Sequence, residues 1–237
     1  GLDSTLALLV TVEAFDRLQL PRKNIVGITM PGFGTTSRTK NNSIDLMAAL
    51  EISTREISIT NSVLQHFEDI GHNVDTHDIT YENSQARERT QILMDVANQM
   101  NAIVIGTGDM SELALGWCTY CGDQMSMYGV NSGVPKTLIK FVLDWLSRKK
   151  ADSRISDIIS DIIDTPISPE LLPDSNDTIV QKTEEAIGPY ELHDFFLYHL
   201  LRFGYGSDKI SFLAQKAFSD KYTKDVIDKW LEIFMKR

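Results

Sequence analysis

Ala102-Ile103-Val104-Ile105-Gly106-Thr107-Gly108-Asp109-Met110-Ser111-Glu112 is the stretch that decides the fold. Its apolar, β-branched start has the character of a strand buried in a parallel sheet, and the run breaks at Gly106 into a short polar loop. Ser84–Met100 immediately before it has the apolar spacing of an amphipathic helix. Working outward, Asn24–Met30 is a second β-branched run that stops at Pro31-Gly32, and Thr54–Ile59 alternates as a third strand. Helices are expected over the segment that follows Gly1-Leu2-Asp3-Ser4, over Asn41–Leu50 and over Asn61–Ile70, with Gly71–Tyr81 irregular. Strands alternating with helices imply an α/β fold: a doubly wound, mostly parallel, Rossmann-like sheet with helices on both faces. A helix opening at the first residues implies a preceding strand outside this sequence. From Thr137 onward the pattern turns helical, over Thr137–Lys149, Ile155–Ile163, Leu192–Phe203, Ser207–Ala217 and Thr223–Lys236. The expected organisation is one domain over 1–237, with an α/β core at 1–136 and a mainly helical part at 137–237. The polar stretch 165–188 reads as a surface loop or a lid.

The 237 residues carry 33 Asp and Glu against 23 Lys and Arg, a formal charge of −10. That balance lacks the basic face of a nucleic-acid binder. No apolar run reaches the ~18–20 residues of a membrane span, and no signal peptide opens the sequence. Cys118 and Cys121, the only cysteines, have no second Cys or His pair at zinc-ligand spacing. A reducing, cytoplasmic setting is expected.

In a doubly wound sheet, ligands bind beyond the carboxyl ends of the strands. Three segments fall there: Gly1–Ser4, Met30–Lys40 and Thr107–Glu112. A glycine, an acid and a hydroxyl at a helix start make an ordinary cap; equally, they can cradle phosphates while Asp3 holds Mg²⁺. Glu112 either shares that Mg²⁺ with Asp3 or simply sits in the first turn of the next helix, where acids are favoured. The segment Trp117–Lys136 is dense in aromatic, glycine and polar residues. Trp117 and Tyr120 either stack on a heteroaromatic ring or lie at a surface. Arg87 and Arg89, two apart on a helix, cannot share a face. His72, Asp75 and His77 share a polar loop without metal-ligand spacing.

The block Gly106-Thr107-Gly108-Asp109-Met110-Ser111-Glu112-Leu113-Ala114-Leu115-Gly116-Trp117, taken with Gly1-Leu2-Asp3-Ser4, resembles NAD synthetases, and more closely the synthetase domain of the glutamine-dependent kind. The opening matches the end of that family's S-G-G-x-D-S loop, which other ATP pyrophosphatases share; the GTGD-x-SELALGW block is far more specific. Tyr81–Arg87, Cys118–Asp123, Gly133–Thr137, Ile167–Leu171, Trp230-Leu231 and Phe234 follow in the family's order.

The resemblance implies a two-step ligase. The nicotinate carboxylate of deamido-NAD attacks the α-phosphorus of ATP, and ammonia then displaces AMP. It implies Mg²⁺ on Asp3 and Glu112; ATP contacts at Gly1, Leu2, Asp3, Ser4, Met30, Thr107, Lys136 and Ser168; and deamido-NAD contacts at Asn83, Arg87, Glu112, Trp117, Cys118, Thr119, Tyr120 and Asp123. Asp3, Glu112 and Lys136 would do the catalytic work. It also implies a homodimer or higher homo-oligomer, with Asn83 reaching across the interface, and an N-terminal glutaminase domain supplying ammonia. That domain, the first half of the loop and a basic segment beyond Arg237 lie outside this sequence. Another ATP pyrophosphatase, such as a GMP synthetase amination domain, and a non-catalytic nucleotide-binding module remain the alternatives.

Overall fold

The structure, a computed structural model, describes residues 1–149, 153–165, 171–172 and 183–237. Helix α1 (Leu2–Arg17) leads through a 3₁₀ turn at Arg22–Asn24 into strand β1 (Val26–Thr29). Helix α2 (Ser37–Ala49) then returns the chain to β2 (Ser53–Glu56), which pairs parallel with β1. Helices α3 (Thr60–Ile70) and α4 (Ile79–Met100) precede β3 (Ile105–Gly106), and the short α5 (Met110–Leu115) separates β3 from its parallel partner β4 (Tyr128–Gly129). Helices α6 (Lys136–Lys149), α7 (Ser153–Ile163), α8 (Thr183–Ile187), α9 (Tyr190–Phe203), α10 (Ser207–Ala217) and α11 (Lys224–Lys236) complete the chain.

The chain is therefore α/β, mostly helical, with parallel strand pairs, and the β1–α2–β2 unit follows the pattern expected. Among the described residues the strands form two separate pairs, β1–β2 and β3–β4, in place of one continuous sheet. The residues of β1 and β3 line opposite parts of one cleft of about 1360 Å³. β1 is drawn tight onto α2 by Gly27, where a Cβ would fall 2.2 Å from Met47 Sδ.

Two elements start earlier than their apolar spacing predicts. Helix α2 begins at Ser37 because Thr36 caps it, its hydroxyl accepting from Thr39 N–H at 3.2 Å. Helix α4 begins at Ile79, inside the segment expected to be irregular, because Asp78 accepts from the backbone of Thr80 and Tyr81. Such caps satisfy amide groups that a helix start leaves open. Strand β4 and helix α8 have no counterpart in the sequence reading: each is too short to show a period. Most of the expected loop 165–188 lies outside the described residues.

Helices α6 and α7 do not stand apart as a helical appendage. Ile139, Leu143, Ile155 and Ile159 pack with Leu6, Leu9 and Leu46 in one core. A second core joins Leu115 of α5 to Ile187, Leu192, Phe196, Ile210, Ile227 and Leu231. His193 lies inside this second core, with Nε2 2.7 Å from the Ile187 carbonyl, and burial holds its pKa below the usual histidine range. A lowered folded pKa means that the unfolded chain takes up the proton more readily. The contribution is complete above the ordinary value of about 6.5 and declines as pH falls below it. The thermal midpoint is expected to drop between pH 7 and pH 5. A melting series of His193→Gln should show a flatter slope over that range.

Candidate active site

The amino end of α1 lies beside the loop after β3, and Asn131 ties the two together. Its side-chain amide donates to the Asp3 carbonyl at 2.8 Å and to the Thr107 carbonyl at 3.1 Å. Asp109 caps α5, accepting from Glu112 N–H at 2.9 Å, while the Glu112 carboxylate reaches back to Asp109 N–H at 3.4 Å. This reciprocal cap fixes both carboxylates on one side of the first turn. Lys136 opens α6 opposite them. Its ammonium lies 2.7 Å from Asp3 Oδ2, 2.7 Å from Asp109 Oδ2 and 2.7 Å from Glu112 Oε1.

Lys136 is only 2% exposed and Asp109 is fully buried, so the cluster sits in a medium that penalises charge. Burial alone would lower the Lys136 pKa; the three carboxylates overcome it and hold the ammonium well above the usual lysine range. Glu112 is pushed up to about 7 by burial, against Lys136, with Asp3 and Asp109 adding to the rise. Asp109 is raised for the same reasons. Three carboxylates around one ammonium carry a formal charge of −2 when all are ionised. Such a site gains from a proton or a further cation. Asp3 Oδ1 is buried and accepts no hydrogen bond from the described residues, and one oxygen from each of the three acids falls within 4.8 Å of the others. Hard oxygen donors in this number suit a divalent cation such as Mg²⁺.

The cleft brings most of the predicted residues together. Gly1, Leu2, Asp3, Ser4, Met30, Asn83, Thr107, Glu112, Trp117, Cys118, Thr119, Asp123 and Lys136 all line it. Within it Thr119 Oγ1 donates to Asn83 Oδ1 at 2.8 Å, joining two predicted substrate contacts inside one chain. The Asp123 carboxylate accepts from Thr119 N–H at 2.7 Å, and burial raises its pKa. Burial likewise raises the Cys118 thiol, which donates to Gln124, so no reactive thiolate is favoured there. The two arginines diverge as their spacing required: Arg87 donates to the Tyr120 carbonyl and Arg89 to the Met30 carbonyl, each at 3.1 Å. Tyr120 is not brought in. The residue is 76% exposed and outside the cleft lining, although Asp123, beyond the left-handed Cys121 (φ 56°), lines it. Ser168 lies outside the described residues.

Four residues that the sequence reading did not single out belong to this neighbourhood. Asp109 completes the acidic triplet, and Asn131 links its two loops. Tyr190 presents a buried hydroxyl without a hydrogen-bond partner among the described residues, its ring 5.5 Å from Lys136 Nζ. Asp194 lies one helical turn beyond it. Only the cap signature at Asp109, an acid three residues before Glu112, was visible in the sequence.

The NAD synthase family model matches residues 1–235. The chain belongs to the NAD synthase family. Within that family it is 40% identical over 259 residues to a glutamine-dependent NAD(+) synthetase of Mycobacterium leprae, and 42% identical over the same span to one of Mycobacterium tuberculosis. Each match covers 100% of this chain and 38% of the relative, so the chain spans well under half the length of these proteins. Among solved structures it is similar to an NMN synthetase from Francisella tularensis, with a TM-score of 0.67 and 21% identity over 94% of this chain and 84% of that one. A glutamine-dependent NAD⁺ synthetase from Acinetobacter baumannii, in complex with ADP, has a TM-score of 0.59 and 20% identity over 100% of this chain and 40% of that one. These two likenesses show the fold that this NAD synthase family member shares.

Proposed function

We propose that the chain is the ATP-dependent amidating part of a carbon–nitrogen ligase that converts deamido-NAD to NAD. The observation that carries this reading is the triplet Asp3, Asp109 and Glu112 around the buried Lys136, with Asp3, Glu112 and Lys136 lining the cleft, in a member of the NAD synthase family. A carboxylate is a poor acyl donor. The nicotinate carboxylate oxygen forms a bond to the α-phosphorus of ATP, pyrophosphate leaves, and the mixed anhydride is then open to ammonia. Ammonia bonds to the carbonyl carbon, the carbon–oxygen bond to AMP breaks, and the nitrogen loses a proton to give the amide.

This chain's residues position and neutralise. Asp3 and Glu112, with Asp109 beside them, would hold Mg²⁺, which supplies charge neutralisation for phosphate oxygens. Lys136, permanently charged in this setting, offers a second cation to the same oxygens. Gly1, Leu2, Ser4, Met30 and Thr107, together with Ser168, surround ATP. Asn83, Arg87, Trp117, Cys118, Thr119 and Asp123 orient the dinucleotide, and Tyr120 contributes its backbone. Ammonia comes from a glutaminase unit of the whole protein, which works as a cytoplasmic homodimer or larger homo-oligomer.

The test supplies ATP, Mg²⁺, ammonium and deamido-NAD and follows NAD and AMP by mass spectrometry. Equimolar NAD and AMP are expected. Nicotinate mononucleotide, through its carboxylate, and xanthosine monophosphate, through its C2 carbonyl oxygen, are the competing substrates. Turnover of either in preference to deamido-NAD would keep the ligase chemistry and overturn the substrate.

A further inference from the structure

Asp194 sits near the amino end of α9, far along the chain from the acidic triplet, yet it is buried against both helices that carry the site. One of its carboxylate oxygens accepts a hydrogen bond from the Ser111 hydroxyl. The other accepts from Thr137 N–H at 2.9 Å and from the Thr137 hydroxyl at 2.6 Å. Ser111 Oγ in turn accepts from Lys136 N–H at 2.9 Å. Ser111 is the residue immediately before Glu112, and Thr137 is the residue immediately after Lys136. One carboxylate therefore grips the chain on either side of the Lys136–Glu112 contact.

The donors around Asp194 are hydroxyls and an amide at the start of the 14-residue α6, where the helix field favours an anion. A hydrophobic residue would fill this space more cheaply, since a buried carboxylate must keep every partner. Here each partner is a residue adjacent to a site group or to its helix start. We infer that Asp194 is a positioning residue: it locks the amino ends of α5 and α6 to α9 and so sets the distance between the Lys136 ammonium and the Glu112 carboxylate. The inference rests on the amidation reading for its kinetic consequence but not for its structural one. It makes the helices beyond Lys136 part of the site's framework.

The test compares Asp194→Ala, Asp194→Asn, Lys136→Met and the double variant Asp194→Ala/Lys136→Met, all assayed for amide formation with ammonium in the full-length protein. Misplacement of a catalytic group by about 1 Å costs on the order of 10²-fold. Asp194→Ala is expected to lose roughly that in kcat, with the KM for deamido-NAD little changed. Asp194→Asn keeps an acceptor for Thr137 but offers Ser111 a donor, and should fall between wild type and alanine. The double variant should be no slower than Lys136→Met alone, because residues acting through one another are not additive. Losses that multiply in the double variant would overturn the inference.

A crystal structure of Asp194→Asn separates this idea from the functional reading. Lys136 Nζ shifted away from Glu112 supports the positioning role even if no acid is amidated. Lys136 Nζ still 2.7 Å from both Asp3 and Glu112 would overturn it.

Discussion

Lys136→Met is expected to cut amide formation by roughly 10²–10³-fold, the cost of removing one preorganised charge from a water-excluded site. The same substitution should destabilise the protein. Removing one partner of a buried ion pair costs about 3–5 kcal/mol, and here three carboxylates would be left without their shared cation. Asp109 suffers most, being fully buried, whereas Asp3 and Glu112 retain side-chain exposures of 23% and 21%. Methionine fills most of the lysine stem's volume, so the loss measured by urea denaturation reports the charge and not a cavity. Divalent-cation binding moves the other way. With the ammonium gone, the triplet keeps all its oxygens and has no competing positive charge, so Mn²⁺ binding followed by electron paramagnetic resonance should be at least as tight as in wild type. Mn²⁺ affinity that falls with the activity would show Lys136 supporting the cation site where it is expected to compete with it.

Glu112→Ala produces the opposite pattern. Amide formation should again fall by at least 10²-fold, now together with Mn²⁺ binding, because the most exposed-facing pair of metal oxygens loses a member. Stability changes less. The variant gives up the weak back-donation at Asp109 N–H, 3.4 Å long, and relieves carboxylate crowding in a cluster where Glu112 already titrates near 7. A cap of this kind is worth about 1 kcal/mol. Glu112→Gln separates the two roles, keeping a side-chain acceptor for the cap while removing the charge. It should fold like wild type and still fail to bind Mn²⁺ as tightly. Full activity in Glu112→Gln would remove this carboxylate from the metal site.

The residues differ in how far their roles could be seen in advance, and the reasons are physical. The strands at Val26–Thr29 and Ile105–Gly106 were legible because β-branched apolar runs ending in glycine or proline have few other uses. The place of Glu112 in the first turn of α5 was legible, as one of the two placements open to an acid just beyond an apolar strand. Asp109 was not, since a carboxylate at a helix start reads first as a cap, and only the fold shows that the same group also meets Lys136. Tyr190 and Asp194 carry no local signal: they reach the site because α9 packs its amino-terminal part against the starts of α5 and α6, a contact between segments more than fifty residues apart. Tyr120 is exposed and outside the cleft lining, whereas its neighbours Trp117, Cys118 and Thr119, and Asp123 beyond it, line the cleft. The division of the strands into two pairs, with β4 only two residues long, lies below any periodicity that a sequence can display.

In the reaction we propose, a carboxylate is activated by direct attachment to the α-phosphorus of ATP. Deamido-NAD labelled with ¹⁸O in both oxygens of its nicotinate carboxylate tests it most directly, with ammonium as the nitrogen donor and the products read by mass spectrometry. One ¹⁸O is expected in AMP and one in the amide of NAD, with pyrophosphate unlabelled. Label appearing in inorganic phosphate, with ADP formed in place of AMP, would overturn this reading, because it would place the attack on the γ-phosphorus.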